Sequence, residues 1–549
     1  MGPAGSKSNG FLARLARDQR GNTLAIIAMA LFPLAGMIGG GLDLSRAYLV
    51  KTRLSQACDA GVLAGRKAMA SGGSITQTVK DEVQKYANFN FPSGYMGTAT
   101  YTQTTWATPT LGANDQVLLT LTSSVPTTVM KLFKKETIPV TVSCSARNDY
   151  ANIDIVLVLD TTGSMACKPE RDASDCSDWI NDYNRSGKTT VVDGRTVTFV
   201  REEGAENNNN ISRMQALRAA LTNLQAQMAT IEAQFNTAPA ATRKRIRWAI
   251  VPFSQMTNPG FSRDASNTTL YSRHPTWFNT TGSYRDSSSS PTTVTHGSNA
   301  DQIATWMNNT WDGCVEELST SNSITPTSGH SIPNNLPSGA NDLRFDTVPS
   351  STATRWTVAD PSRVGSSQYA CPKAMRELQT MSGTDFNNYF AASTGFLANG
   401  GTYLDLGMLW AARLLSRGTG LWSASNPVIY NTYPVSRYVI LMTDGEMDTG
   451  NTGYGAYAQE RWWKRVAADG TVDTNKKNHT QRWLMTCAAI KNMDVKIFAI
   501  SFGAGSSLSA DMTGCSSGAG FGYKADNAAG LNQAFRDIGE TIGSLRLSQ

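Results

Sequence analysis

Three short segments far apart in the chain concentrate hydroxyl and carboxylate oxygens. They are Asp160-Thr161-Thr162-Gly163-Ser164, Asn399-Gly400-Gly401-Thr402 and Met442-Thr443-Asp444-Gly445. Ser, Thr and Asp offer only oxygen, which suits a hard divalent ion such as Mg2+, or Mn2+ or Ca2+, and not zinc. The first and third segments each follow an apolar, β-branched run, Ile153–Leu159 and Tyr438–Leu441. Such runs read as strands buried on both faces of a parallel sheet. Ligands of open α/β sheets bind at the carboxyl ends of strands, where these polar clusters fall. Taken singly the patterns are weak, because Thr-Asp-Gly after a strand is also an ordinary turn.

Together the three segments, in this order, resemble the metal-ion-dependent adhesion site of von Willebrand factor type A domains. That site is normally Asp-x-Ser-x-Ser with a distant Thr and Asp; here Thr162 replaces the first Ser and keeps the hydroxyl. The resemblance implies a metal held by Asp160, Thr162, Ser164, Thr402 and Asp444. It further implies that hydroxyls and waters give most direct ligands while the carboxylates act partly through water. An ion with few anionic ligands stays electrophilic and can take a carboxylate from a protein partner, which is binding chemistry without turnover.

The front of the chain sets the compartment. No charged residue occurs from Leu24 to Leu42, enough for a membrane span of roughly 20 residues. The run exceeds the apolar core of a cleaved signal peptide, and no small-x-small site precedes a polar start. Arg14, Arg17 and Arg20 precede it and Asp43 follows it. The positive-inside rule predicts a cytoplasmic tail over 1–21, a single pass through membrane lipid, and everything after Asp43 outside. Pro33 is tolerated in such a helix. Ser45 to Ala70 lacks Pro and repeats apolar residues at Leu49, Leu54, Ala57 and Ala60, predicting one helix continued from the span to Gly72-Gly73.

Asp18–Asn22, Gly41–Tyr48 and Leu54–Ala60, with Phe535–Gly539 and Leu545–Ser548 at the other end, resemble TadE/TadG-type proteins of the bacterial tight-adherence (Flp) pilus machinery. The resemblance implies an assembly or anchoring role with pilus or secretion machinery as partner. It covers both ends and not the long inserts. Prepilin processing in such systems needs Glu at the fifth position after the cleavage-site Gly; counted from Gly21 that position is Ile26, so an uncleaved anchor is expected.

The expected organisation is α/β: a stalk helix over 22–71, a small β-rich region over 72–148, and a doubly wound, Rossmann-like type A domain over 149–549. Strands are expected at Ala99–Thr105, Gln116–Thr122 and Ile138–Ser145 in the β region. In the large domain, strands Asp154–Asp160, Arg247–Phe253, Tyr438–Thr443 and Val495–Phe502 alternate with helices Ser212–Phe235, Tyr403–Leu415, Arg482–Asn492 and Leu531–Leu545. Two inserts, at about 165–211 and 254–394, leave the strand ends that carry the oxygen-rich segments and are long enough to cap them or select a partner. Trp277, Trp306, Trp311 and Trp356 in the second would be costly to leave in water and are expected in a core.

Eight cysteines without a Cys-x-x-Cys pair fit an oxidising compartment. Nearest pairing gives Cys167–Cys176, Cys314–Cys371, Cys487–Cys515 and Cys58–Cys144, although sequence leaves the connectivity open. Other motifs carry little. Gly514-Cys515-Ser516-Ser517-Gly518 has the form of a nucleophile elbow but lacks the preceding strand and a following His. Four histidines form no zinc motif. Asp182 to Asp193 has calcium-loop character but leads into a strand, Thr196–Val200, where a helix is required. The net charge of +6 is spread out, and Arg243-Lys244-Arg245-x-Arg247 reads as a solvated edge, so no nucleic-acid partner is expected. No catalytic constellation is present, so an enzyme is not expected. The alternative to a pilus-linked protein is a free-standing surface adhesin.

Overall fold

A computed structural model divides the chain into two compact units, Met1–Tyr150 with Ser544–Gln549, and Ala151–Gly543. The structure describes residues 22–69, 74–98, 107–112, 116–147, 152–182, 184–192, 195–207, 209, 211–235, 243–260, 277–284, 292–295, 302, 311–360, 369–431, 433–445, 447–503, 508–543 and 546–547.

The first unit is built on α1, a single helix over Asn22–Ala68 that carries Pro33. Among the described residues no helix is long and apolar enough to cross a membrane. The side chains at 22–25, 28 and 32, within or beside the expected span, lie outside the described residues, as do the tail over 1–21 with its three arginines and the Gly72-Gly73 stop. The buried side of α1 is Val50, Leu54, Ala57, Cys58 and Val62, while Leu49 of the expected repeat is 48% exposed.

A second helix, α2 over Gln77–Asn90, lies in a stretch that reads as β-rich from sequence. Thr76 caps it by accepting the Val79 N–H. Only Val79, Val83 and Ala87 mark its apolar face, at helical spacing. They meet α1 where Gly61 and Gly65 lie, and a Cβ on Gly65 would stand 2.2 Å from Val83 Cγ2.

Strands β1 (Thr110–Leu111), β2 (Val117–Pro126) and β3 (Thr137–Arg147), with Arg546–Leu547 beyond β3, form an antiparallel sheet. Val117, Leu119, Leu121 and Val125 alternate inward from β2 and share one core with α1 and α2. Residues 99–105, an expected strand, lie outside the described residues.

The second unit is a strand–helix alternation. Its elements are β4 (Asn152–Asp160), α3 (Arg213–Phe235), β5 (Ile246–Phe253), β6 (Arg376–Gln379), α4 (Leu404–Leu415), β7 (Tyr433–Thr443), α5 (Val472–Asn492), β8 (Val495–Phe502), β9 (Gly522–Ala525) and α6 (Ala528–Ile542). The sheet order is β6-β5-β4-β7-β8-β9, with β6 antiparallel to β5 and the other neighbours parallel. Every residue of β4 and β5 is buried, as continuous apolar strands of a two-sided sheet require.

Three local expectations change. Arg247 is not a solvated edge: its guanidinium is buried and donates to Asp154 Oδ1 and Oδ2 at 2.7 and 2.6 Å, pairing the charge inside the strands. The second insert is not wholly outside the sheet, because β6 comes from it. Helix α5 begins at Val472 rather than Arg482, since the Thr471 hydroxyl caps it at Thr474.

Trp277, Trp311 and Trp356 are buried in the same core as the sheet, and Trp356 stacks on Trp410 of α4 at 5.6 Å between ring centroids. Trp306 lies outside the described residues. All four nearest-neighbour disulfides are present.

Candidate metal-ion site

The carboxyl ends of β4 and β7, neighbours in the sheet, deliver Asp160 and Asp444 to one place. Asp160 is the last residue of β4 and fully buried. Its Oδ1 accepts the Thr162 N–H at 2.8 Å, and its Oδ2 accepts the Thr443 hydroxyl at 2.6 Å. The Ser164 hydroxyl donates to Asp444 Oδ1 at 2.9 Å and lies 3.1 Å from the Thr162 hydroxyl. Asp160, Thr162, Ser164 and Asp444 therefore form one continuous cluster.

Thr402 is brought alongside through its loop. The Gly163 N–H donates to the Gly400 carbonyl at 2.9 Å, and Asn399 N–H to the Thr161 carbonyl at 2.7 Å. Gly400 sits at φ +82, where a Cβ would also stand 2.7 Å from Ala370 Cβ, so this close approach needs glycine. Thr402 itself is buried and exchanges both main-chain hydrogen bonds with Asp448 at 2.9 Å. Among the described residues its hydroxyl is in no hydrogen bond with the Thr162–Ser164–Asp444 cluster. Val200, just past the 195–199 strand of the first insert, donates its N–H to the Ala398 carbonyl at 2.8 Å and so holds the same loop from the other side.

The remaining oxygen of Asp444 carries a residue that sequence reading misses. Arg213 Nη1 donates to Asp444 Oδ2 at 2.8 Å, with both side chains essentially inaccessible at 3% and 0% exposure. Arg213 opens α3 and is held by its own N–H to the Cys167 carbonyl, 2.7 Å away, and by Nη2 to the Arg171 carbonyl. The Cys167–Cys176 disulfide closes that loop directly after the Ser164 motif. Arg213 follows the first insert and belongs to no recognisable pattern, so nothing in the sequence signals its role. Thr443 directly precedes Asp444 in the sequence, yet only the fold shows that its hydroxyl steadies Asp160.

The donor set fits a hard cation. Two ligands side by side on an octahedral ion at about 2.1 Å stand roughly 3 Å apart, and the Thr162 and Ser164 hydroxyl oxygens are 3.1 Å apart. Ser164 spends its proton on Asp444, which leaves oxygen lone pairs for an ion. Burial pushes the Asp160 carboxyl up to about 7, and the adjacent Asp444 carboxylate adds to the rise. Arg213 pairs with Asp444 alone, while Asp160 is held by the Thr162 N–H and the Thr443 hydroxyl. With both carboxylates ionised, a divalent ion beside Arg213 would leave the cluster net positive and in need of an anionic ligand. Gly163 and Ser164 are half-buried, Asp444 exposes main chain only and Gly445 is exposed, so the side open to solvent is the Gly163–Gly445 side.

A second grouping, Asp312 with Cys314 and Cys371, brings three potential ligand atoms together. Its sulfurs form a disulfide, and Asp312 accepts the Tyr369 hydroxyl at 2.6 Å and the Cys314 N–H at 3.1 Å. It is a structural cross-link with a satisfied carboxylate.

Comparisons with known proteins give a partial placement. No curated protein matches the chain. Among solved structures, the chain is similar to the pilus adhesin SpaC from Lactobacillus rhamnosus GG, at 10% identity and a TM-score of 0.30, covering 81% of this chain and 36% of that one. The chain thus spans about a third of the length of SpaC. It is similar to the PilB minor pilin from Streptococcus sanguinis, at 13% identity and a TM-score of 0.34, covering 79% and 76%. It is also similar to the vWF domain of the type V pili tip protein Mfa5 from Porphyromonas gingivalis, at 9% identity and a TM-score of 0.28, covering 72% and 95%. These likenesses are too loose to carry an argument about this chain. Residues 21–71, which include all of α1, match the family described as "Putative Flp pilus-assembly TadE/G-like".

Proposed function

We propose that the chain is an envelope-anchored pilus-assembly or anchoring protein whose Ala151–Gly543 unit binds a protein partner through a divalent cation. The observation that carries this reading is the cluster at the ends of β4 and β7. Asp160, Thr162, Ser164 and Asp444 are joined by hydrogen bonds, and the two hydroxyls are spaced for one ion. Thr162 and Ser164 would ligate the ion directly, Asp160 and Asp444 would balance its charge partly through water, and Thr402 would approach from its adjoining loop. When bound, the ion, Mg2+ or Mn2+ or Ca2+, supplies an electrophilic site for a carboxylate of the partner. Arg213 holds Asp444 in place, and Thr443 holds Asp160.

The match over 21–71 supports the pilus setting, and the uncharged stretch 24–42 is the ground for an anchor in the α1 region. In this reading the uncharged stretch 24–42 lies in the inner membrane, residues 1–21 are cytoplasmic, and the rest is periplasmic or extracellular. The partner belongs to the pilus or secretion machinery or to a cell surface. Four disulfides fit that oxidising side.

Complementation of a deletion strain tests the reading. Asp160→Ala should give a folded protein that fails to restore adherence, and chelation of divalent ions should reproduce the loss in wild type. Full adherence with Asp160→Ala would make the domain a scaffold and end the metal-dependent reading. A periplasm-dependent reporter fused after Gln549 should be active; an inactive one would overturn the orientation.

A further inference from the structure

We infer that the turn between β2 and β3 is a membrane-contact element that seats on anionic phospholipid headgroups beside α1. The inference rests on the anchor reading of α1 and adds a second, separate point of lipid contact.

The turn is locked to α1 at a defined height. Asp43, buried on α1, accepts the N–H groups of Thr128, Val129 and Met130 at 2.8, 3.0 and 2.8 Å. Arg46, one turn later, donates to the Thr128 hydroxyl at 2.6 Å. From there the turn runs back along the helix toward its uncharged part. A Cβ on Gly39 would stand 2.0 Å from Val129 Cγ1, and one on Gly36 would stand 3.1 Å from Phe133 Cζ. Gly36 is seven residues before Asp43, or about 10 Å along a helix. The tip of the turn is thus level with the apolar stretch and not with the polar half of α1.

Its side chains suit that level. Leu132 is 79% exposed and Phe133 45% exposed, large values for apolar residues at a strand turn. Lys131, Lys134 and Lys135 flank them, all exposed, and among the described residues none is in an ion pair. On α1 beside this tip, Met37 and Ile38 are also exposed, at 69% and 68%. An apolar tip ringed by lysines is the composition that sinks a few ångströms into the acyl boundary while ammonium groups reach phosphates. Each lysine near an anionic surface is worth roughly a fivefold gain in binding.

The experiment uses the full-length chain reconstituted into vesicles carrying a diazirine phospholipid, either phosphatidylcholine alone or mixed with phosphatidylglycerol. After photolysis, cross-linked peptides are mapped by mass spectrometry. Cross-links are expected both within 24–42 and within 129–135, with the second group several-fold stronger when phosphatidylglycerol is present. Leu132→Asp should remove the second group and leave the first. Lys131→Glu with Lys135→Glu should lower it several-fold and erase the phosphatidylglycerol preference; Lys134 is kept because it sits at φ +60. Cross-links confined to 24–42 would overturn the inference while leaving the anchor standing. Cross-links in neither segment would remove the anchor and the inference with it. Equal turn labelling in both lipid mixtures would refute the assignment to anionic headgroups.

Discussion

Arg213→Met tests how the charge in the cluster is balanced. The wild-type guanidinium lies 2.8 Å from Asp444 Oδ2, and neither side chain meets solvent. At an effective dielectric of about 20 the attraction is roughly 6 kcal/mol, set against the cost of taking both charges out of water. Removing one partner of such a buried pair typically costs about 3–5 kcal/mol, a large share of the roughly 5–15 kcal/mol that holds a domain folded. In chelator, Arg213→Met should lose about that much. A divalent ion at the Thr162–Ser164 hydroxyls would then act as the substitute positive charge. Ligand at about 100 times its Kd adds roughly 2.7 kcal/mol to any protein that binds it only when folded. In the variant the gain should exceed that of wild type, because loss of Arg213 also removes a repulsion on the ion. The assay is urea unfolding followed by tryptophan fluorescence, with and without Mg2+. It reads the Ala151–Gly543 unit, since every tryptophan except Trp106 lies there. Asp444→Asn is the control: it should be destabilised with little rescue by Mg2+. Equal Mg2+ shifts in wild type and Arg213→Met would refute the claim that the ion sits against Asp444. Unchanged stability in chelator would refute the buried pair itself.

Three further outcomes follow from the packing and the ligand set. Replacing Cys487 and Cys515 by Ala opens a loop with a sequence separation of 28 between α5 and the 510–515 helix. It should cost about 3 kcal/mol in the same urea assay, and peptide mapping that finds both thiols alkylatable in the native wild type would contradict the bond. Gly65→Ala should destabilise the first unit by about 1–3 kcal/mol despite its better helix propensity, because the new methyl meets buried Val83. Adding Val83→Ala should recover part of the loss, read by hydrogen exchange in α1 and α2. Thr162→Ser should leave metal binding nearly unchanged while Thr162→Val abolishes it, as read by calorimetric titration of Mg2+.

The second unit was legible where the sequence is locally redundant. The Ile153–Leu159 run, the helix from about 212 and the strand Val495–Phe502 each carry a periodicity that survives folding, and their order alone implies the parallel sheet. Nearest-neighbour cysteines paired as expected because each pair joins elements adjacent in the fold. What was not legible depends on long-range placement. Helix α2 shows only Val79, Val83 and Ala87 against an otherwise polar stretch, and its partner face on α1 is two glycines that carry no apolar signal. Strand β6, with the sequence Arg-Glu-Leu-Gln, has no β-branched residue and is a strand because β5 offers it an edge. At the candidate site, the carboxylates and hydroxyls were visible in three motifs. Arg213 was not, because a lone arginine at a helix start has no meaning until Asp444 is placed beside it.

The most direct measurement of the central proposal is Mn2+ binding to the purified full-length protein by electron paramagnetic resonance, with circular dichroism on the same samples. Wild type should take up Mn2+ at the Asp160–Ser164–Asp444 cluster in competition with Mg2+. Asp160→Ala should keep the wild-type dichroism spectrum and lose that binding. Asp160→Ala that binds Mn2+ as well as wild type would contradict the proposal.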